Sequence, residues 1–82
     1  MGMTVRVLLF ASYADAIGKS ELALELPQGS RVSDVLARVK VMASGKRIPD
    51  TPMVAVNQRY VRDDQTVTAA DEVAIIPPVA GG

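Results

Sequence analysis

Hydrophobic positions along the chain fall into stretches of different period. Residues 4–11 read T-V-R-V-L-L-F-A, a nearly continuous apolar run rich in Val and Leu. With Arg6 facing water, Val5, Val7 and Leu9 take the buried face of a strand, and Leu8 and Phe10 share the outer face with Arg6. Two apolar residues side by side on an outer face suggest a contact surface. Residues 12–17 predict one helical turn, closed by Gly18. Residues 21–26 alternate strictly, Leu22, Leu24 and Leu26 against Glu21, Ala23 and Glu25, the pattern of a half-buried strand. The two strands are expected to pair antiparallel. Pro27-Gln28-Gly29-Ser30 breaks the second strand. Val32, Val35, Leu36 and Val39 then recur at i, i+3, i+4 and i+7. That spacing predicts an amphipathic helix of about three turns, which Met42 and Ala43 can extend. Ser30 or Ser33 is the expected N-cap, and Ser44-Gly45 the end of the helix.

Residues 46–52 are polar with two prolines and read as a loop. Met53 to Val56 predicts a short strand, Asn57-Gln58 a tight turn, and Arg59-Tyr60-Val61 a second short strand. A loop opens at Asp63-Asp64, and Ala69-Ala70-Asp71 forms a turn in which Asp71 bonds locally. The last strand runs from Glu72 to Ile76. Pro77 and Pro78 end it, since neither has an N–H for a ladder. The order is β-β-α-β-β-β, an α+β domain with one main helix on one face of a small mixed sheet. The first and last strands are the most aliphatic and are expected to be central and adjacent.

Composition narrows the chemistry. The chain has 82 residues, enough for one domain. Its aromatics are Phe10, Tyr13 and Tyr60, so the core must be aliphatic. There is no Cys, His or Trp. Disulfides, thiolate nucleophiles and the commonest zinc ligands and general bases are therefore excluded. Nine basic residues balance nine acidic ones, which gives no electrostatic case for nucleic acid or an anionic membrane. The charges are nonetheless segregated. Arg38, Lys40, Lys46, Arg47, Arg59 and Arg62 stand against Asp50 alone, and Asp63, Asp64, Asp71 and Glu72 follow with no base between them. No apolar run approaches the roughly 20 residues of a membrane span, and the start lacks the order of a signal peptide. A cytoplasmic location is expected.

The chemistry that composition leaves open lies at the C-terminus, Ile75-Ile76-Pro77-Pro78-Val79-Ala80-Gly81-Gly82. Two terminal glycines arise by chance in about one chain in 200, so the context decides. The prolines favour an extended course away from the sheet. Beyond Val79 the side chains shrink to nothing, and a tail without Cβ atoms can thread a narrow channel in another protein. A carboxylate is inert until it is activated, for instance by adenylation. The chain has no G-x-x-x-x-G-K-[ST] phosphate loop, so a partner enzyme must carry out that step.

The ending D-E-V-A-x-x-P-P-V-x-G-G over residues 71–82 resembles that of the small subunits of molybdopterin synthase, the MoaD-like sulfur carriers. Residues 5–11, residues 22–29, Ala55-Val56-Asn57 and Tyr60-Val61 agree in order and spacing. The resemblance implies a ubiquitin-like β-grasp domain over residues 1–76, with four to five strands on one main helix. Residues 77–82 would form an extended, flexible Gly-Gly tail. It also implies a function without a catalytic residue of the carrier's own. An E1-like, ATP-dependent adenylyltransferase would adenylate the Gly82 carboxylate. A sulfur donor such as a cysteine desulfurase or rhodanese would convert it to a thiocarboxylate. The tail, Val79, Ala80 and Gly81, would then thread into the large subunit of molybdopterin synthase in a heterotetramer, delivering sulfur to cyclic pyranopterin monophosphate. Leu8, Phe10, Ile76, Pro77 and Pro78 would form the docking surface. No stably bound cofactor or metal is implied, only the transient adenylate and thiocarboxylate. Carriers for thiamine, cysteine or tRNA thiolation share the fold and the Gly-Gly end. A ubiquitin-like modifier joined to lysines through Gly82 is a further alternative. The chain departs from the family pattern at Ala80 (usually Ser), at Ala70 (often Gly) and at Arg31 (often Thr). If the turn at Ala70 needs positive φ, alanine there costs roughly 1 kcal/mol.

Overall fold

The computed structural model describes residues 2–43 and 52–77. The predicted elements lying partly or wholly outside that range are the Ser44-Gly45 helix end, most of the 46–52 loop, and the tail from Pro78 to Gly82. Within it the chain forms β1 (Gly2–Leu9), α1 (Ser12–Ile17), β2 (Glu21–Pro27), α2 (Val32–Met42), β3 (Met53–Val56), β4 (Arg59–Val61) and β5 (Glu72–Ile76). The five strands make one mixed sheet in the order β2-β1-β5-β3-β4. β1 runs antiparallel to β2 and parallel to β5, so the most aliphatic strands are adjacent. β3 lies antiparallel to both β5 and β4.

Alternation sorts the sheet into two faces. Val5, Val7 and Leu9, Leu22, Leu24 and Leu26, Val54 and Val56, and Val73 and Ile75 point inward and are buried. Val32, Val35 and Val39 of α2 close over them, joined by Tyr13 from α1 and Val67 from the β4–β5 connection. Fully burying one such aliphatic side chain contributes about 1.5–3 kcal/mol. Almost all of the core therefore comes from strand positions of one parity plus one helical stripe.

Three local expectations are corrected. β1 starts two residues early, because Gly2 and Met3 pair with Pro27 and Leu26, and it stops at Leu9. It cannot reach Ala11, whose backbone turns at φ 51° and ψ −123° to start α1. Pro27 closes β2 rather than breaking it, since it sits at the sheet edge where no N–H is required. The N-cap of α2 is Arg31, not Ser30 or Ser33. The orphan N–H groups of the first turn find tertiary partners instead: Val32 donates to the Gln65 carbonyl and Ser33 to that of Asp63, both at 2.9 Å. The Asp34 carboxylate accepts the Arg31 N–H at 2.8 Å. The Ser30 hydroxyl turns back to the Pro27 carbonyl at 2.6 Å. The expected turns hold: Gly18 (φ 84°) ends α1, and Asn57 and Gln58 (φ 53° and 70°) form the β3–β4 turn. Ala70 is not among the positive-φ residues, so its departure from glycine carries no backbone strain.

Candidate functional site

The sheet's outer face is bare of any described helix and divides into two halves. Directly paired residues share a face, so the registers Leu8↔Ala74, Ala74↔Ala55 and Ala55↔Tyr60 place a row of apolar side chains across four strands. A second row follows one step toward the end of β5, where Ile76 pairs with Met53. The parity of β1 carries Phe10 to the same side, just past the strand. Of these, Phe10 is 45% exposed, Met53 37% and Tyr60 67%. Leu8 and Ile76 are half-buried within the patch they help form. This is an apolar surface of the kind that marks a protein contact.

The other half of the face is polar. Arg6 lies between Ala23 of β2 and Glu72 of β5. Its guanidinium pairs with Glu21 and, at 3.3 Å, with Glu72. The hydrogen bond and charge of Glu21 raise the Arg6 pKa further above its usual value, so the group is a permanent cation. Next to it Asn57 clasps the β3–β4 turn to the start of β5. Its amide donates to the Asp71 carboxylate at 2.8 Å, and its Oδ1 accepts the Glu72 N–H at 3.0 Å. Asp71 also accepts the Thr68 N–H at 2.8 Å, the local bond expected of it. Partial burial pushes the Asp71 carboxyl up. The bonds from Asn57 and from the Thr68 backbone and side chain outweigh it and hold the pKa below the usual carboxylate value. The clasp fixes where β5 begins, and with it which of residues 72–76 face outward.

Of the residues expected to dock a partner, Leu8 and Ile76 lie on the outer face, and Phe10 and Pro77 directly follow β1 and β5 at the same end of these parallel strands. Pro78, Val79, Ala80, Gly81 and Gly82 lie outside the described residues. β5 is the central strand and hands the chain to Pro77 beside this patch. The sequence reading missed Met53, Ala55, Ala74 and Tyr60. Parity counted back from Ile76 marks Ala74 as outward, but the other three join the patch only through the β5–β3–β4 pairing. No cluster of acidic residues among the described ones is arranged to hold a metal ion. No described helix is long and apolar enough to cross a membrane.

A half-bare mixed sheet gripping one main helix, with its central strand leading into the C-terminus, defines a ubiquitin-like β-grasp domain. The family model described as ThiS family matches residues 7–82, and the chain belongs to that family. It is 38% identical, over the whole of both chains, to a protein of Dictyostelium discoideum named molybdopterin synthase sulfur carrier subunit. Its structure is similar to that of a molybdopterin converting factor subunit 1 from Pyrococcus furiosus. That match has TM-score 0.79 and 30% identity, and it covers 94% of this chain and 99% of the other. The fold is also similar to a chain in the complex of subunits 1 and 2 of the Helicobacter pylori molybdopterin-converting factor. There the TM-score is 0.62 and the identity 18%, covering 98% of this chain and all of the other.

Proposed function

We propose that this chain is the sulfur carrier subunit of molybdopterin synthase, with the Gly82 carboxylate as its reactive group. The observation that carries the reading is the full-length likeness to a carrier subunit of that name, 38% identical end to end. The apolar outer face beside the root of the tail agrees with it. In this reading an E1-like enzyme transfers AMP from ATP to the Gly82 carboxylate, releasing pyrophosphate. AMP is then the leaving group displaced at the acyl carbon by the terminal sulfur of a donor persulfide. A second thiol cleaves the acyl disulfide so formed, leaving the thiocarboxylate on Gly82 and the donor cysteine in a disulfide with that thiol. The large subunit docks on the patch formed by Leu8, Phe10, Ile76 and Pro77, and the narrow Val79–Gly82 tail enters its active site. No side chain of the carrier takes part in the chemistry, which accounts for a chain without Cys or His. The Helicobacter pylori complex supports a large-subunit partner.

The test is intact mass after coexpression with the activating enzyme and a sulfur donor. The expected result is a mass increase of one O-to-S exchange, lost when Gly82 is deleted from a chain that still folds. The thiocarboxylate form should then support dithiolene formation by the large subunit. An unchanged mass, sulfur transfer by the truncated chain, or Gly82–lysine adducts in place of the thiocarboxylate would refute the proposal.

A further inference from the structure

The two edges of the sheet are unlike. β4 is an edge of three residues, Arg59–Val61, whereas β2 is an edge of seven, Glu21–Pro27. The Leu9 N–H donates to the Ser20 carbonyl at 2.9 Å, one step beyond the Leu8↔Glu21 pair. In an antiparallel ladder, bonded and non-bonded pairs alternate. Leu22, Leu24 and Leu26 therefore direct their backbone groups toward β1, and Glu21, Ala23 and Glu25 direct theirs away from the sheet. No backbone group among the described residues bonds these outward N–H and C=O groups. They form a ready template for one more strand.

A groove of about 570 Å³ adjoins the end of this edge, between Leu26, Pro27 and Ser30 on one side and Asp34, Arg38 and Val41 on the other. The last three lie on one stripe of α2, beside the stripe that faces the core. Val41 is 71% exposed there, an aliphatic side chain with no cover. The other flank of the edge, on the outer face, is acidic: Glu21 is paired with Arg6, and Glu25 has no ion partner among the described residues.

These charges choose the occupant. Two copies of this chain pairing antiparallel through Ala23 would set each Glu21 opposite the other copy's Glu25, two like-charge contacts that oppose self-association. A strand with Lys or Arg on that flank meets attraction instead. We propose that the β2 edge binds, by strand addition, an extended segment of a partner protein with alternating basic and small aliphatic residues. The basic residues stand beside Glu21 and Glu25, and an aliphatic residue between them points to the helix side and covers Val41. Because β5 runs parallel to β1, it ends at the Leu9 end and hands the chain to Pro77 there, whereas the groove lies at the Gly2 end where Pro27 pairs. A protein held there leaves the apolar patch and Pro77 uncovered. The site is thus suited to a partner that holds the domain while its C-terminus is engaged elsewhere. This inference does not depend on the sulfur-carrier reading.

The test titrates the full-length, isotope-labelled chain with the peptide Lys-Val-Lys-Val-Lys, and with Glu-Val-Glu-Val-Glu for comparison. Strand addition predicts amide shifts at Glu21, Ala23, Glu25 and Val41, slowed exchange of the Ala23 and Glu25 N–H groups, and weakening with added salt. Glu25→Lys should weaken binding about tenfold or more by placing like charges together. Ala23→Pro should weaken it as well by removing an outward donor, and the edge position tolerates proline. Several results would overturn the proposal: no shifts at millimolar peptide, equal binding of the acidic peptide, shifts confined to the Phe10–Tyr60 face, full affinity in Glu25→Lys, or dimerisation through residues 21–25.

Discussion

The Asn57 clasp carries more of the structure than one exposed turn residue ordinarily would. Replacing Asn57 by alanine removes two side-chain hydrogen bonds, to Asp71 at 2.8 Å and from Glu72 at 3.0 Å. A net bond is worth about 1 kcal/mol, and more when one partner is charged. Asn57 also sits at φ 53°, where asparagine is tolerated and alanine costs about 1 kcal/mol. The sum is about 3 kcal/mol, a large part of the roughly 4–12 kcal/mol expected for a domain this small. Asn57→Gly loses the same bonds but sits easily at positive φ, so about 2 kcal/mol is expected. Urea unfolding followed by circular dichroism separates the two variants. With a slope near 1 kcal/mol per molar, the alanine midpoint should fall by about 3 M and the glycine midpoint by about 2 M. A double-mutant cycle with Asp71→Ala should give a coupling of at least about 0.5 kcal/mol. If Asn57→Ala shifts the midpoint by less than about 0.5 M, or the cycle gives no coupling, the clasp holds nothing and the reasoning fails.

Three further outcomes are expected. The Asp71 carboxyl is held below its unfolded value near 3.9. Its stabilisation is therefore full above that pH and is lost as the pH falls through the lower folded value. The midpoint difference between wild type and Asp71→Ala should be constant from about pH 5 upward and shrink in more acidic buffer; a difference that grows on acidification would contradict this. Ala11, strained at φ 51° and ψ −123°, should yield about 0.5–1 kcal/mol of added stability on replacement by glycine, read as a raised melting temperature. Phe10→Arg, at a position 45% exposed, should leave the melting temperature nearly unchanged yet weaken binding to a molybdopterin synthase large subunit about tenfold or more, read by calorimetry. Unchanged binding would remove Phe10 from the docking surface.

Side-chain parity and the β1–β2 and β1–β5 pairings were legible in the chain, and the place of β3 beside β5 was not. Leu22, Leu24 and Leu26 alternate with Glu21, Ala23 and Glu25 so regularly that the buried face of β2 follows from period alone, and the Val32–Val39 spacing marks the buried stripe of α2 in the same way. These are local signals, each read within one turn or one pleat. The N-terminus of α2 shows where such reading stops. Ser30 and Ser33 have the chemistry of caps, but the first-turn N–H groups bond Gln65 and Asp63 carbonyls some thirty residues on, and nothing near the helix announces that. The apolar outer patch divides along the same line. Leu8 and Phe10 stood out by their shared parity with Arg6, and Ile76 through the family resemblance, while Met53, Ala55 and Tyr60 became part of the patch only when β3 was laid between β5 and β4.

That difference bears on how the surface is kept. The outward identity of Ala74 and Ile76 depends on where β5 starts, and a slip of one residue would turn Val73 and Ile75 to water in their place. The β5 residues alone do not prevent the slip, because Glu72-Val73-Ala74-Ile75-Ile76 is apolar on both parities after its first residue. Registry must then come from outside the strand. The Asn57 side chain accepts the Glu72 N–H, and the Asn57 N–H donates to the Glu72 carbonyl at 2.9 Å, so Glu72 is gripped from both of its backbone groups. Arg6 holds its side chain from the neighbouring strand. A patch that is apolar, and so indifferent to register by its own chemistry, is therefore set in place by the polar half of the same face.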